Sequence, residues 1–256
     1  MEPDLHQPLF NLEQVFDVDD YLYFYSEMLT DERSEAEVAY LVKLLELNQP
    51  LDILDMACGF GRHANRLAAL GHRLTGIDLM EGFINLARED AAQRGLQVNF
   101  QQGDMRQIQF ENEFDRVMIL FTAFGYFDDE DNLWVLKNVR RALRPGGLLI
   151  LDSVNRDTAL KNFQPVHVVE KDGNLMIDRA SFDSLTGCMN NQRITIRNGV
   201  RTDRPFKIRY YNPSEFSELL ERAGLEVYAM YGGFDAQPVS TDSRRLVVIA
   251  RRPEET

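Results

Sequence analysis

Apolar positions along the chain fall into two successive rhythms. From Ser34 the spacing is helical: Val38, Leu41, Val42 and Leu45 recur at three- and four-residue steps, Ser34 and Glu37 fit an S-x-x-E capping box, and Pro50 follows the end of the segment. A short apolar run at 51–55 then predicts a strand ending in a glycine-rich turn, and a helix over 61–70 stops at Gly71. The alternation continues with a strand at 72–77, a helix at 81–94 ended by Gly95, and strands at 98–101 and 114–120. A helix at 129–143 follows, and the turn Pro145-Gly146-Gly147 leads into a strand at 148–152. Strands alternating with helices predict a parallel sheet covered on both faces, and the mostly apolar strands fit burial on both sides.

The second rhythm begins after Asn155. Residues 166–170, 175–182, 192–197 and 206–211 are rich in strand formers, and Asp172-Gly173-Asn174, Thr186-Gly187 and Asn198-Gly199 separate them as turns. This pattern predicts antiparallel hairpins. The first rhythm then returns with a helix at 213–223, Pro213 at its start and Gly224 at its end, and strands at 225–231 and 246–250. Three parts result. Residues 1–33 form an N-terminal cap crowded with Phe16, Tyr21, Tyr23, Phe24 and Tyr25. Residues 34–155 and 212–256 form the main α/β domain, and residues 156–211 form an inserted β-rich lid.

A chain of 256 residues with 44% apolar and 27% charged positions is long enough to bury a full core. Its formal charge of −13 repels phosphate backbones, so no nucleic-acid partner is expected. The basic cluster Arg193, Arg197, Arg201, Arg204, Lys207 and Arg209 reads as a solvated strand face. Two cysteines far apart, Cys58 and Cys188, fit a reducing compartment and no disulfide framework. The opening MEPDLHQPLF lacks the basic and apolar regions of a secretory signal, and no apolar run reaches the roughly 18 residues of a membrane span. The reading is a cytoplasmic protein with no membrane partner and no metal site.

Candidate chemistry concentrates in Asp55-Met-Ala-Cys-Gly-Phe-Gly-Arg62, between a strand and a helix. Gly59 and Gly61 let a ligand approach the main chain, and the helix beyond offers unpaired N–H groups. A dinucleotide fold shares this architecture, and Ala64 fits its third glycine position. Asp55 argues the other way: a carboxylate there repels a pyrophosphate but attracts an amino group, which S-adenosylmethionine carries. Asp78, closing the second strand, suits both ribose hydroxyls of an adenosine, with Leu79 and Met80 against the base. Asp104 offers an acceptor to the adenine amino group, and the Met105 main chain can meet the ring edge. Asp55 and Asp78 each also have a plainer reading as a turn or helix cap, and the Gly103-Asp104 pair gains weight only from its place in this order. Arg62 is placed to reach a cofactor carboxylate. His63 reads as a helix-start residue, and Cys58 as a small buried residue with no base beside it.

Taken together, LDMACGFGRH, TGIDL, QGDM, FDRVMILFTAFGYF and LRPGGLLILD resemble, in order, a class I S-adenosylmethionine-dependent methyltransferase. CGFGRHA, FTAFGYF and GGFDAQPVSTDSRR are more narrowly similar to bacterial small-molecule methyltransferases with a β-insertion. The resemblance implies a Rossmann-like seven-stranded sheet of order 3-2-1-4-5-7-6, its last strand antiparallel. It implies S-adenosyl-L-methionine at Asp55, Ala57, Cys58, Gly59, Gly61, Arg62, Asp78, Leu79, Asp104, Met105, Leu120 and Phe121. Ala57 departs from the family, which often has glycine there. Methyl transfer needs placement and exclusion of water more than a catalytic triad, and no triad is evident. The segment at 120–127 should face the methyl group, with Phe124 and Tyr126, and with Tyr25 and Tyr211 from the lid side, as the acceptor pocket. The expected partner is a small-molecule N or O nucleophile. A methyltransferase acting on protein or RNA, a noncatalytic S-adenosylmethionine-binding protein and a nicotinamide oxidoreductase are the competing readings, and the insertion could instead build a homodimer interface.

Overall fold

Two sheets organise the chain in the computed structural model, which describes residues 10–254. Strands β1 (Asp52–Met56), β2 (Arg73–Asp78), β3 (Asn99–Gln102), β4 (Phe114–Ile119) and β5 (Leu143–Val154) come first. Then follow β6 (Val166–Lys171), β7 (Asn174–Asp183), β8 (Cys188–Arg197) and β9 (Val200–Arg209), and finally β10 (Glu226–Tyr231) and β11 (Arg245–Arg251). The larger sheet has the order β3-β2-β1-β4-β5-β11-β10, with β11 antiparallel to both neighbours and the other pairs parallel. This is the Rossmann-like order expected from the sequence resemblance.

Helices α1 (Leu12–Val15), α2 (Val18–Phe24), α3 (Asp31–Leu44), α4 (Ala64–Ala69), α5 (Glu81–Gln93), α6 (Asp129–Ala142), α7 (Arg156–Lys161) and α8 (Pro213–Arg222) complete the fold. The central strands send alternate side chains to two separate cores, as a period of two requires. Val117, Ile119, Leu149, Leu151, Leu246 and Val248 pack on the side of α6 and α8. Met118, Ile150, Val247 and Ile249 pack on the side of α3, α4 and α5.

The smaller sheet, β6-β7-β8-β9, is wholly antiparallel. Its hairpin turns Asp172-Gly173 and Asn198-Gly199 place both central residues at positive φ, the backbone that matches strand twist in two-residue turns.

Several local expectations change. Helix α3 begins at Asp31, capped by Thr30, so Ser34 and Glu37 lie inside it and form no capping box. Ser34 instead bonds the Thr30 carbonyl, and Glu37 accepts from Arg62 and meets His63, both of which line the cleft described below. Helix α4 begins only at Ala64, and α7 is a short helix the sequence pattern did not reveal. Most arginines of the predicted basic cluster are not a solvated face, although Arg201 stays exposed. Arg197 and Arg204 both bond Asp20 of α2, and Arg193 is clamped by Asp178 through bonds of 2.8 and 2.7 Å. Tyr23 is held in turn by the Lys171 carbonyl at 2.8 Å and the Asn174 amide at 2.7 Å. These ties seat α2 on the small sheet. Among the described residues no helix is long and apolar enough to cross a membrane. The expectations for the first nine residues lie outside the described region.

Candidate active site

The ends of β1 to β4 open onto a cleft of about 1130 Å³, roofed by α1, α2 and side chains of β8 and β9. The turn after β1 forms its floor. Gly59 has φ of +56°, and a Cβ there would meet nothing within 4 Å, so this main chain stands open to the cleft. Gly61 corrects the expectation of a ligand contact. It does not line the cleft, and a Cβ would lie 2.9 Å from both Ala87 and Phe100, so it is there to let the turn pack on α5 and β3. Ala57 takes the left-handed backbone, at φ 60°, with its side chain on the cleft.

Two carboxylates face this floor. Asp55 is 2% exposed, and its Oδ2 has no hydrogen-bond partner. Loss of water pushes its carboxyl up to about 7, with Arg62 opposing and Asp78 reinforcing the shift. Asp78 accepts the Gly59 N–H at 2.8 Å through Oδ2 and the Met80 N–H at 2.9 Å through Oδ1. Burial raises it despite those bonds. Each Asp78 oxygen keeps one lone-pair direction for a further donor.

Arg62 crosses beneath the roof. Its Nη1 donates to Ser34 Oγ at 3.2 Å and to Glu37, while Nη2 is buried without a partner. His63 Nε2 lies 2.9 Å from Glu37 Oε2. Burial works to raise the Glu37 carboxyl, but His63, Arg62 and Arg33 outweigh it and hold the group at about 2. Burial lowers His63 against the pull of Glu37. Cys58 is buried, its thiol pushed well up by lost solvent and nearby carboxylates, and so is no nucleophile.

Leu79, Asp104 and Met105 line the next part of the wall. Both Asp104 oxygens already accept bonds from Arg106, which also reaches Asp131. Leu120, Phe121, Thr122 and Ala123 follow β4 along the cleft, and the Phe121 ring lies 5.1 Å from the Arg62 guanidinium.

On the roof side stand Phe16, Tyr21, Tyr25, Tyr126, Phe206 and Arg193. The Tyr25 hydroxyl accepts a bond from Arg193 at 2.9 Å. Burial drives the hydroxyls of Tyr21 and Tyr126 far above the ordinary phenol range. Phe124 and Tyr211 correct the expected acceptor pocket, because neither lines the cleft. Phe124 is 1% exposed and packs with Tyr211 and Phe216, and the Tyr211 hydroxyl is taken by Asp129 at 2.8 Å and Asn132 at 3.1 Å.

Sequence reasoning missed Arg33, Glu37, Tyr21, Arg193 and Phe206, and the pair Asp152–Arg245 at the back of the β4 turn. The strand alternation at 192–197 could have marked Arg193 as a position with one defined face, but not which face is covered.

Comparison with known proteins gives consistent results. A family described as "Methyltransferase domain" matches residues 53–147. The dTDP-4-amino-2,3,4,6-tetradeoxy-D-glucose N,N-dimethyltransferase of Saccharopolyspora spinosa is 28% identical over 207 residues, spanning 77% of this chain and 81% of that protein. The cypemycin N-terminal methyltransferase of a Streptomyces species is 25% identical over 225 residues, 84% of this chain and 89% of that protein. Among solved structures, an S-adenosylmethionine-dependent methyltransferase of Clostridium acetobutylicum ATCC 824 covers 95% of this chain and 100% of its own. Its TM-score is 0.76 at 17% identity, a likeness of fold.

Proposed function

We propose that this chain is a class I S-adenosylmethionine-dependent methyltransferase and that it methylates an amine nitrogen of a small molecule held under α2 and the small sheet; the methyltransferase-domain match and the relatives named for N-methylation support this reading. The cofactor, S-adenosylmethionine, supplies a methyl group on a sulfonium whose leaving group is a neutral thioether.

The residues at the strand ends fit that cofactor. The unpartnered Asp55 oxygen and the unpartnered Arg62 nitrogen carry opposite charges, and together they match the ammonium and carboxylate of an amino acid. Asp78 keeps two acceptor positions for a ribose, and Leu79 and Met105 offer apolar contact to a base. Asp104 stands beside them, but a bond to an adenine amino group must share an oxygen with Arg106. Ala57, Cys58 and Gly59 supply main chain that a ligand can approach, and Leu120 and Phe121 close the far side.

One observation carries the choice of an amine: the aromatic lining of the roof. Among the described residues the hydroxyls of Tyr21 and Tyr126 have no hydrogen-bond partner, while their rings, with Phe16 and Phe206, surround the same space. Phenol oxygens accept N–H bonds and so aim a nitrogen lone pair, and ring faces favour the positive charge that grows on nitrogen as the methyl arrives. The amine must enter neutral, since an ammonium has no lone pair. Two relatives are named for methylation at nitrogen, one on an amino sugar and one on a peptide N-terminus, and they support the same class. The N-terminal segment and the small sheet would then select the acceptor.

The test is formation of S-adenosylhomocysteine with amino sugars and peptide N-termini as probes, each beside a counterpart bearing hydroxyl in place of the amine. Transfer to the amines is expected, with a rate that rises with pH up to the amine's own pKa. Transfer to the hydroxyl counterparts alone would refute the proposal.

A further inference from the structure

The turn after β4 carries two adjacent non-glycine residues in the left-handed region, Phe121 at φ 58° and Thr122 at φ 62°. L-side chains there crowd the following carbonyl, so such a pair persists only where the surroundings hold it. One residue supplies the hold. Asp152 on β5 is 1% exposed, its Oδ2 accepts the Phe121 N–H at 2.9 Å, and its main-chain carbonyl accepts the Thr122 N–H at 3.1 Å. Arg245, at the start of β11, closes on the carboxylate from the other side, with bonds of 2.7 Å from Nε and 2.6 Å from Nη2. In the opposite direction the Phe121 ring lies 5.1 Å from the guanidinium of Arg62 and 5.7 Å from that of Arg33. Arg62 is the residue whose Nη2 is buried without a partner.

We infer that Asp152 is a positioning residue for the cofactor: clamped by Arg245, it keeps the Phe121–Thr122 turn left-handed, and through the Phe121 ring the turn aims Arg62 into the cleft. Asp152 does not itself line the cleft, so it acts through these neighbours. If the turn relaxed to the ordinary backbone region, the Phe121 ring would leave the guanidinium. The inference rests on the assignment of the cofactor to this cleft.

The test measures calorimetric affinity for S-adenosylmethionine and S-adenosylhomocysteine on the full chain, together with a melting curve for each variant. Asp152→Asn keeps the volume and removes the charge on which Arg245 closes. Its affinity should fall about tenfold or more, the scale of a lost charge-assisted bond. Adding Thr122→Gly should recover most of the affinity, because glycine takes positive φ without a Cβ penalty, while the melting temperature stays depressed. Arg245→Gln should repeat the loss, and Thr122→Gly should again restore it; this second pair decides the matter if Asp152→Asn does not fold. Wild-type affinity in Asp152→Asn, or a loss that glycine does not restore, would overturn the inference and leave Asp152 as general support for the fold. A wild-type chain that binds neither compound would instead overturn the cleft assignment, and that result is visible before any variant is compared.

Discussion

Replacing Asp55 by Asn should make the ligand-free protein more stable and a poorer cofactor binder. The folded chain holds this carboxyl at about 7, against an ordinary value of 3.8, chiefly because burial strips its water. The unfolded chain therefore loses the proton near pH 4 and the folded chain only near pH 7. Between those values unfolding releases a proton, so stability falls as pH rises, and above 7 the deficit is constant. At about 1.4 kcal/mol per pH unit, the gap sets an upper bound of about 4 kcal/mol. Asn carries no charge and escapes the deficit. At pH 8 the variant should gain about 2–4 kcal/mol, roughly 5–15 °C in melting temperature for a chain of this length. The gain should shrink as pH is lowered and vanish near pH 4. Cofactor affinity should move the other way, by about 10- to 100-fold, because the ammonium loses a charged partner. Melting curves from pH 5 to 8 and calorimetry at pH 8 read both effects. A melting difference that does not change with pH, or unchanged affinity, would refute the reasoning.

Three further outcomes follow from the same site. Asp78→Ala should weaken S-adenosylmethionine binding by about 1–3 kcal/mol in calorimetry, with a smaller loss of stability because the Gly59 and Met80 N–H groups lose their acceptor. Glu37→Gln should cost about 2–3 kcal/mol at neutral pH, discounted for the water that reaches the site. The carboxyl is held at about 2 against an ordinary 4.5, so its contribution is present above pH 4.5 and lost as pH falls toward 2; denaturant titration at pH 7 and pH 3 should show the difference narrowing. Ala57→Gly should raise stability by about 0.5 kcal/mol in the same titration, since relief at φ 60° slightly exceeds the entropy that glycine adds to the unfolded chain.

The alternation of strands and helices and both two-residue hairpin turns were legible because they depend on local periodicity and on residues that accept positive φ, whereas the strand order came from the family resemblance and not from the pattern. Asp55 and Asp78 could be singled out because strand ends in a parallel sheet converge on one edge. What could not be read depends on partners distant in sequence. Phe124 and Tyr126 sit two positions apart in one aromatic run, yet one is sealed against α8 and the other faces the cleft. Only the packing of residues almost a hundred positions later separates them. The basic cluster resembled a wet strand face because Asp20, the counter-ion of Arg197 and Arg204, stands at the opposite end of the chain. The S-x-x-E pattern at Ser34 was genuine as a pattern, but Thr30 caps the helix one turn earlier, and that leaves Glu37 to anchor Arg62 and His63.

The bonds from Asp20 to Arg197 and Arg204, and from Tyr23 to Lys171 and Asn174, have a consequence for engineering. They join α2 to the small sheet that follows the fifth strand, so the two should travel as a single exchangeable cassette. A chimera that imports one half from a relative strands a buried charge on the half it keeps. Transplants of acceptor preference should therefore succeed when both halves are moved together.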